Sequence, residues 1–381
     1  MDVRSYSLKD INSFKTHFQA ELSSGFKPTL AICFTDATID FESIDGFLNE
    51  QNIDTVGSTT CGEIYNEGWA EESCSILMLD LDKSNYHIEL ASFDQSEDVI
   101  AKQIAEVAIE KFKKPAIITY IAKLGANGDR TVSGFKEVLT PETPIFGGLA
   151  GDDFKNEKFT VFSNGKFETD GMVALIIDGE KIEVAGTAFS GWKPLGKTHV
   201  VSKVEGNVLY EVDNKPALDL FIEYFGLEQS NATGDEKMEA IPGIYPIKVI
   251  DESQGDYMRS PLLYNRKEQS LILGGEVQVG DRVKFCPMPD LDTISETVNY
   301  FEEYAKANSK VDAIIMNSCA GRKFAFGPLM HKETKEFYDI WKVPTVGLMA
   351  MGEIGSLASD KECKFHNVTC SFVSLTEISS A

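Results

Sequence analysis

Two segments 290 residues apart carry the same short pattern: DTVGSTTCGEI at 54–64 and PTVGLMAMGEI at 344–354 share Thr-Val-Gly, four variable residues, then Gly-Glu-Ile. Each follows an apolar run, TLAICFT at 29–35 and DAIIMNS at 312–318, with a helical or loop stretch between. The shared order reads as strand, connection, strand, glycine turn, so the chain is constrained to build related α/β units by duplication. A weaker copy reads from TPIFGGLAGDD at 143–153, after the strand-like AIITYIA at 116–122, and a fourth from IYPIKVI at 244–250.

Helical periodicity predicts helices near 7–19, 38–50, 96–113, 128–140, 214–226, 290–308 and 331–341. After each glycine turn the apolar period falls to two, in CSILMLDL with YHIELASF, FTVFSNGKFE with GMVALIIDG and KIEVAGTAF, LLYNRKEQSLILGGEVQVGDRVKF, and CKFHNVTCSFVSLTE, which predicts antiparallel hairpins at Asn-Gly, Asp-Gly or Gly-Asp turns. The expected fold is α/β: two pseudo-duplicated halves, each with mixed β-sheets covered by helices in a layered, αββα-like sandwich. A length of 381 residues supports two packed halves, with the boundary in GTAFSGWKPLGKTH, giving units 1–190 and 191–381.

Charge narrows the partners. Sixty acidic against 36 basic side chains give a net charge of −24, which repels nucleic acid and anionic membrane. Apolar runs such as MVALII at 172–177 fall far below the ~18–20 residues of a transmembrane helix, and MDVRSYSLKD lacks the pattern of a secretion signal. Seven cysteines at irregular spacing, without C-x-x-C, C-x-x-C-H or H-E-x-x-H motifs, place the chain in a reducing cytoplasm and give no sequence signal for a zinc centre or attached haem.

The motifs VGSTTCGEI at 56–64, IFGGLAGDD at 145–153, GWKPLGKTHVVSKVEGNVLYEVDNKPALDLFIEYFG at 191–226, VGLMAMGEIGS at 346–356 and FHNVT at 365–369, taken in order, resemble the FIST family, whose N-type and C-type domains occur together in bacterial sensory proteins. The resemblance assigns 1–190 to a FIST N-type and 191–381 to a FIST C-type domain. It implies signal transduction rather than catalysis: sensing of a small ligand, an amino acid or related metabolite, with the response passed to a histidine kinase, a chemoreceptor or a cyclic-di-nucleotide enzyme. No kinase or cyclase motif accompanies the two domains, so a separate signalling partner is expected. Some members of the family are haem proteins that sense nitric oxide, which makes haem an alternative cofactor where none is otherwise expected.

Glycine turns at strand ends bring backbone amides and short side chains to the sheet edge, where α/β proteins place ligands. The candidate ligand contacts are therefore Ser58, Thr59, Thr60, Cys61 and Glu63 in the most polar turn, Gly148 and Asp152 in the weaker copy, and Glu353 in the last. Glu63 and Glu353 suit a ligand ammonium, although either carboxylate also serves to pin its own loop, and Asp152 to cap a turn. NSCAGR at 317–322 adds Asn317, Ser318 and Arg322, whose planar fork suits a carboxylate. In this arrangement the duplicated turns face a common cavity between the halves. Two rival readings use other residues. A haem sensor would need His366 or His199 as the axial ligand, and a thiol-dependent amidase or hydrolase would need Cys61 or Cys319 as its nucleophile.

Overall fold

In a computed structural model, the chain is described at all positions except 67, 156, 227–237, 241–242, 358–359, 361 and 379–381. The strand, glycine turn and return strand of the duplicated motif occur three times. The first repeat runs β1 (Asp2–Leu8), α1 (Ile11–Ser23), β2 (Leu30–Thr35), α2 (Phe41–Glu50), β3 (Asp54–Thr59), β4 (Glu63–Tyr65), β5 (Gly68–Ala70) and β6 (Cys74–Asp80). The second runs β7 (Tyr86–Ser92), α3 (Glu97–Lys111), β8 (Pro115–Ala122), α4 (Gly128–Lys136), β9 (Ile145–Leu149), β10 (Val161–Ser163), β11 (Lys166–Glu168) and β12 (Gly171–Asp178).

The third repeat opens with β13 (Ile182–Phe189) and is then interrupted by an inserted sheet: β14 (His199–Glu205), β15 (Val208–Val212), β16 (Lys215–Pro216), α5 (Ala217–Phe225), β17 (Met238–Ala240), β18 (Ile247–Ile250), β19 (Tyr257–Arg259), β20 (Pro261–Asn265), β21 (Ser270–Leu273) and β22 (Arg282–Phe285). It resumes with α6 (Asp292–Ala307), β23 (Ala313–Cys319), α7 (Ala320–Phe326), α8 (Met330–Trp341), β24 (Thr345–Ala350), β25 (Glu353–Gly355), β26 (Lys364–His366) and β27 (Cys370–Glu377).

Each repeat builds four strands of one sheet in the same order, β1-β6-β2-β3, β7-β12-β8-β9 and β13-β27-β23-β24. The two innermost strands run parallel, as β2 with β3, β8 with β9 and β23 with β24. The short hairpin of each repeat then leaves its own sheet. β10–β11 adds to β3, β25–β26 to β9, and β4–β5 to β24, so the three repeats exchange hairpins in a closed cycle.

The inner faces of the three sheets share one core that includes Ile32, Val56, Ile118, Val173, Ile315 and Val346. Helices cover each outer face: Phe14, Phe18 and Ile44 over the first sheet, Ile100, Ile104 and Phe135 over the second, Ile294, Phe301 and Phe337 over the third. Burial on both faces explains why β2, β23 and β24 read as continuous apolar runs. The layered α/β arrangement with mixed sheets is thus as the sequence predicts, and the copy at 143–153 takes its place as a full repeat.

Other expectations change. Asp2–Leu8 forms a strand against β6, which moves the first helix from 7–19 to Ile11–Ser23. The segment at 244–250 is no copy of the motif, because its strand β18 pairs antiparallel with β19 and β22 inside the insert. Strands β6 and β7, and β12 and β13, do not pair with each other. Both edges of β12 are already filled by β7 and β8, so β13 crosses to β27. The Asn164-Gly165 hairpin between β10 and β11 forms as expected.

The repeated glycine has one cause in all three copies. Gly57, Gly147 and Gly347 lie opposite Cys33, Thr119 and Met316 of the parallel neighbour. A Cβ there would stand 1.9, 1.7 and 1.9 Å from those residues' carbonyl oxygens. Gly147 also has φ +145°. We expect Gly147→Ala to cost about 3 kcal/mol or more in a denaturant titration. Gly46→Ala, on the exposed face of α2 with nothing within 4 Å of the new methyl, should stabilise by about 0.5–1 kcal/mol.

Candidate functional site

The duplicated turns meet at the centre of the molecule and interlock. Thr59 N donates to Thr160 O at 2.9 Å and Gly151 N to Thr59 O at 3.0 Å. Leu149 N donates to Gly352 O at 2.9 Å and Met351 N to Leu149 O at 3.2 Å, while Met349 N donates to Gly62 O at 2.8 Å and Cys61 N to Met349 O at 3.0 Å. These are three copies of one two-bond exchange, closed into a ring. The turns therefore share one place, as expected, but among the described residues they pack directly on one another where a cavity between them was expected. Cys61 Sγ lies 3.7 Å from Met351 Sδ, and a methyl on Gly151 would come within 2.4 Å of Cys61 Sγ. Lys323 closes the ring from outside, donating to Cys61 O at 2.9 Å and to Asp153 at 3.2 Å.

Most of the sequence candidates are built into this packing. Glu63 is fully buried and accepts from Thr60 Oγ1 at 2.5 Å, Ser73 N at 3.2 Å and Ser73 Oγ at 2.8 Å. Asp152 accepts from Glu157 N at 2.6 Å and Lys158 N at 3.0 Å, which pins its own loop. In the second repeat the register against the glycine strand puts Val161 where Glu63 and Glu353 stand. The acidic pair Asp152 and Asp153 belongs to a longer loop and is not the counterpart of those glutamates. Ser58, Gly148 and Asn317 lie in the strand pairs around the inner core, where Tyr120 donates its hydroxyl to Asn317 at 3.2 Å. Ser318 is buried beside them on β23.

Arg322 is fully buried and uses each of its five N–H donors. Nε and Nη2 grip both oxygens of Glu333 on α8, Nη1 reaches Ser190 O at 2.7 Å and Val368 O at 3.4 Å, and Nη2 reaches Thr297 Oγ1 at 3.1 Å. A ligand carboxylate would have to displace these partners. Arg322 is therefore a staple between α7, α8, α6 and the segment that enters the insert. The sequence held a signal for it: Met330, Glu333, Thr334 and Phe337 form the buried face of α8, and an acid at such a position requires a buried cation.

The open space lies beyond this staple, where the insert rests on the third repeat. A cleft of about 510 Å³ is walled by Phe189, Trp192 and Lys193, by Lys248, Asp256 and Tyr257 of the insert, and by Glu296 and Tyr300 of α6, with His366 and Thr369 among its lining residues. Phe189 stacks on Tyr300 at 4.8 Å, and the Tyr300 hydroxyl meets Thr187 at 2.8 Å. Trp192 donates its indole N–H to Ile244 O at 3.1 Å.

His366 is 0% exposed, and neither ring nitrogen makes a hydrogen bond among the described residues, although Nε2 stands 3.3 Å from the Asp360 carboxylate. Directly across the β25–β26 pair lies Glu353. Its Oε2 accepts from Thr369 N at 3.2 Å and Thr369 Oγ1 at 2.7 Å, and its Oε1 has no hydrogen-bond donor among the described residues. Of the sequence candidates, the structure brings Glu353 and His366 together, and of the two His366 is a lining residue of the cleft. His199 sits in the insert instead, with Nδ1 2.9 Å from Asp213 and its ring against Tyr224 and Phe285. The contributions of Lys248, Asp256 and Tyr257 had no signal in the sequence, because folding of the insert alone places them.

The fold and cleft define a strand-exchanged α/β protein carrying an inserted β-sheet. The chain belongs to the FIST family, matching the FIST N domain over residues 29–215 and the FIST C domain over 217–356. FIST domains are sensory domains of signal transduction. Among curated proteins the chain is similar to an uncharacterised protein of Methanocaldococcus jannaschii, 26% identical over 189 residues, which are 47% of this chain and 36% of that protein. It is also similar to an uncharacterised protein of Mycobacterium tuberculosis, 24% identical over 227 residues, 57% of each chain. The chain thus spans between about a third and somewhat over half of the length of these relatives. Among the described residues, no helix is long and apolar enough to cross a membrane.

Burial pushes Glu63 and Glu353 up to about 8, against roughly 4.3 for an unfolded glutamate. Between those values the folded chain binds more protons than the unfolded one, so the contribution is fully present below the unfolded pKa and is lost as pH rises through about 8. Glu63→Gln and Glu353→Gln should each flatten the fall in melting temperature between about pH 5 and about pH 9. An unchanged slope in both variants would mean that these carboxyls ionise in the fold. Separately, Arg322→Ala leaves Glu333 buried without its partner and should cost about 3–5 kcal/mol in a denaturant titration, with much of the loss restored when Glu333→Leu is added.

Proposed function

We propose that this chain is a cytoplasmic sensory module that binds a small polar metabolite carrying an amino group in the cleft between the insert and the third repeat, and passes its signal to a separate protein such as a histidine kinase or chemoreceptor. The observation that carries this reading is His366, a fully buried imidazole with no hydrogen bond at either nitrogen among the described residues, placed in the lining of a cleft of about 510 Å³. A buried ring nitrogen without a hydrogen bond among the described residues favours a ligand that supplies one. The cleft also joins two bodies linked by two short segments, 190–198 with two glycines and a proline and 286–291 with two prolines. A ligand that touches both bodies therefore biases how they pack, and a partner reads that difference. The seven cysteines are all free and buried, which supports a reducing compartment.

The two rival readings are less favoured. Haem does not suit the residues present: His366 Nε2 faces a carboxylate at 3.3 Å, and the walls carry Lys193, Lys248, Asp256 and Glu296 where a porphyrin calls for apolar contact. His199 is engaged with Asp213. A thiol-dependent hydrolase needs a thiolate, whereas burial pushes Cys61 up to about 12 and raises Cys319 as well. We read the chain as a binding module and not as an enzyme.

The test is a thermal-shift screen of the intact protein against amino acids, amines and central metabolites. A ligand at about 100 times its Kd should stabilise the wild type by about 2.7 kcal/mol. The same ligand should give no shift with His366→Phe. Silence across the screen, or a shift that survives in the variant, would overturn the assignment of the cleft.

A further inference from the structure

We infer that the inserted sheet, residues 199–285, is a hinged lid: it swings as one body about the segments 190–198 and 286–291, and Arg259, gripping Asp129 of the second repeat, is the latch that holds it shut. The motion supplies the moving part of the cleft proposed above and rests on that reading only for its use in signalling.

The insert has an interior of its own. Its core runs through Val201, Leu209, Phe221, Ile247, Leu271 and Phe285 and, among the described residues, takes in no side chain of the three repeats. Of the described residues in 199–285, Met258 alone joins a buried core of the body. Little apolar surface ties the insert down, and bodies that meet mainly through polar contacts move against each other by default. The two hinge segments enter the insert side by side. Leu195 N donates to Phe285 O at 2.9 Å, and Gly191 and Gly196 take φ of +80° and +77°. A body attached by two adjacent strands has an axis about which to turn.

The latch lies at the edge of the inserted sheet. β19 stands beyond β18 from the hinge-bearing strands β14 and β22, and on it Arg259, 3% exposed, donates Nη2 to Asp129 and Nη1 to Phe365 O at 2.9 Å. Asp129 sits in the first turn of α4, where a helix N-terminus favours a carboxylate, and its other oxygen accepts from Glu276 N at 2.8 Å. Glu276 in turn accepts from Asn127 Nδ2 at 2.6 Å. Gly274 and Gly275 make room for this contact: a Cβ on Gly275 would come 2.7 Å from both Arg259 Nε and Asp129 Oδ2, and one on Gly274 2.8 Å from Asn367 Oδ1. Two single hydrogen bonds to the third repeat accompany the latch, Ser260 N to Asn367 Oδ1 at 3.1 Å and Lys364 Nζ to Gly255 O at 2.5 Å. Beside it a second cleft of about 300 Å³ is walled by Val132 and Lys136 of α4 and by Asp251 and Gln254 of the insert, so the seat on the second repeat is narrow. Loss of the Asp129 charge removes the ion pair that anchors this edge.

The test uses the full chain without ligand. In hydrogen–deuterium exchange, Asp129→Asn should speed exchange by about tenfold or more in the segments that form the seat, 257–260, 275–276 and 364–367, and leave β15 and β21 of the insert and β2 and β23 of the body within about twofold. Spin labels at Glu110→Cys and Glu268→Cys, both exposed and set against native cysteines that are buried, should report one distance in the parent and a second, longer one once Asp129→Asn is added. Glu276→Ala, a change at the rim of the seat, should give the same pattern more weakly, and it decides the matter if Asp129→Asn does not fold. Exchange that rises evenly through the insert's own core would mean that Arg259 only stabilises the insert, and an unchanged label distance in both variants would mean that the insert is fixed. Either result sinks the lid and leaves the ligand reading of the cleft standing.

Discussion

At the middle of the molecule three parallel strands reach the border of their own repeat with backbone groups that water does not reach. A strand left there as an open edge would hold unpaired N–H and C=O groups in the interior, which folded proteins avoid. The hairpin of a neighbouring repeat supplies the partners, and because each repeat gives one hairpin and receives one, the exchange closes after three steps. Much else follows from that closure. Gly57, Gly147 and Gly347 are fixed by the carbonyl of the adjacent strand, and Glu63 is sealed by the turn it belongs to. The feature that first marks the sequence as repetitive is thus architectural in origin.

Function has to be sought where the threefold pattern is broken. The third repeat alone carries an insert, and a buried staple secures the place where the chain departs for it. Arg322 holds Ser190 O at the exit, Val368 O ahead of the last strand and Glu333 of the covering helix. Trp192 continues this contact into the insert through Ile244. Arg259 anchors the far side, reaching Phe365 O at 2.9 Å and pairing with Asp129 of the second repeat. The insert is therefore seated on two repeats, with the cleft between its anchor points and Glu353 and His366 beneath.

The repeating unit was legible because a steric requirement recurs at fixed spacing, and steric requirements write themselves into glycine. The helices were legible for a similar reason, since one apolar stripe packs on one sheet. Hairpin exchange was not legible: β4 and β5 are three residues each, and local pattern carries no record of which distant strand such a short piece joins. The glutamate repeated at 63 and 353 was visible, yet its two copies have different surroundings. Glu63 accepts at both oxygens, whereas Glu353 keeps one oxygen without a hydrogen bond among the described residues, across from a histidine. Arg322 looked like an anion clamp because its planar fork follows a glycine and the end of an apolar strand, and the helix that brings Glu333 to it alters that reading. Tyr257 and Lys248 gained their place only through the path of the inserted chain.

The exchange also governs synthesis. The first hairpin pairs its Tyr65 with Val346, so it finds its sheet only after most of the protein has been translated. At ordinary elongation rates of about 5–20 residues per second, that interval is on the order of tens of seconds. Throughout it the nascent chain carries an unclaimed β-hairpin open to wrong partners, while the first sheet waits only for β10 and β11. A ribosome that stalls before the final strands leaves the first sheet whole and the second and third lacking pieces, so those two are completed only by the last segment of the chain.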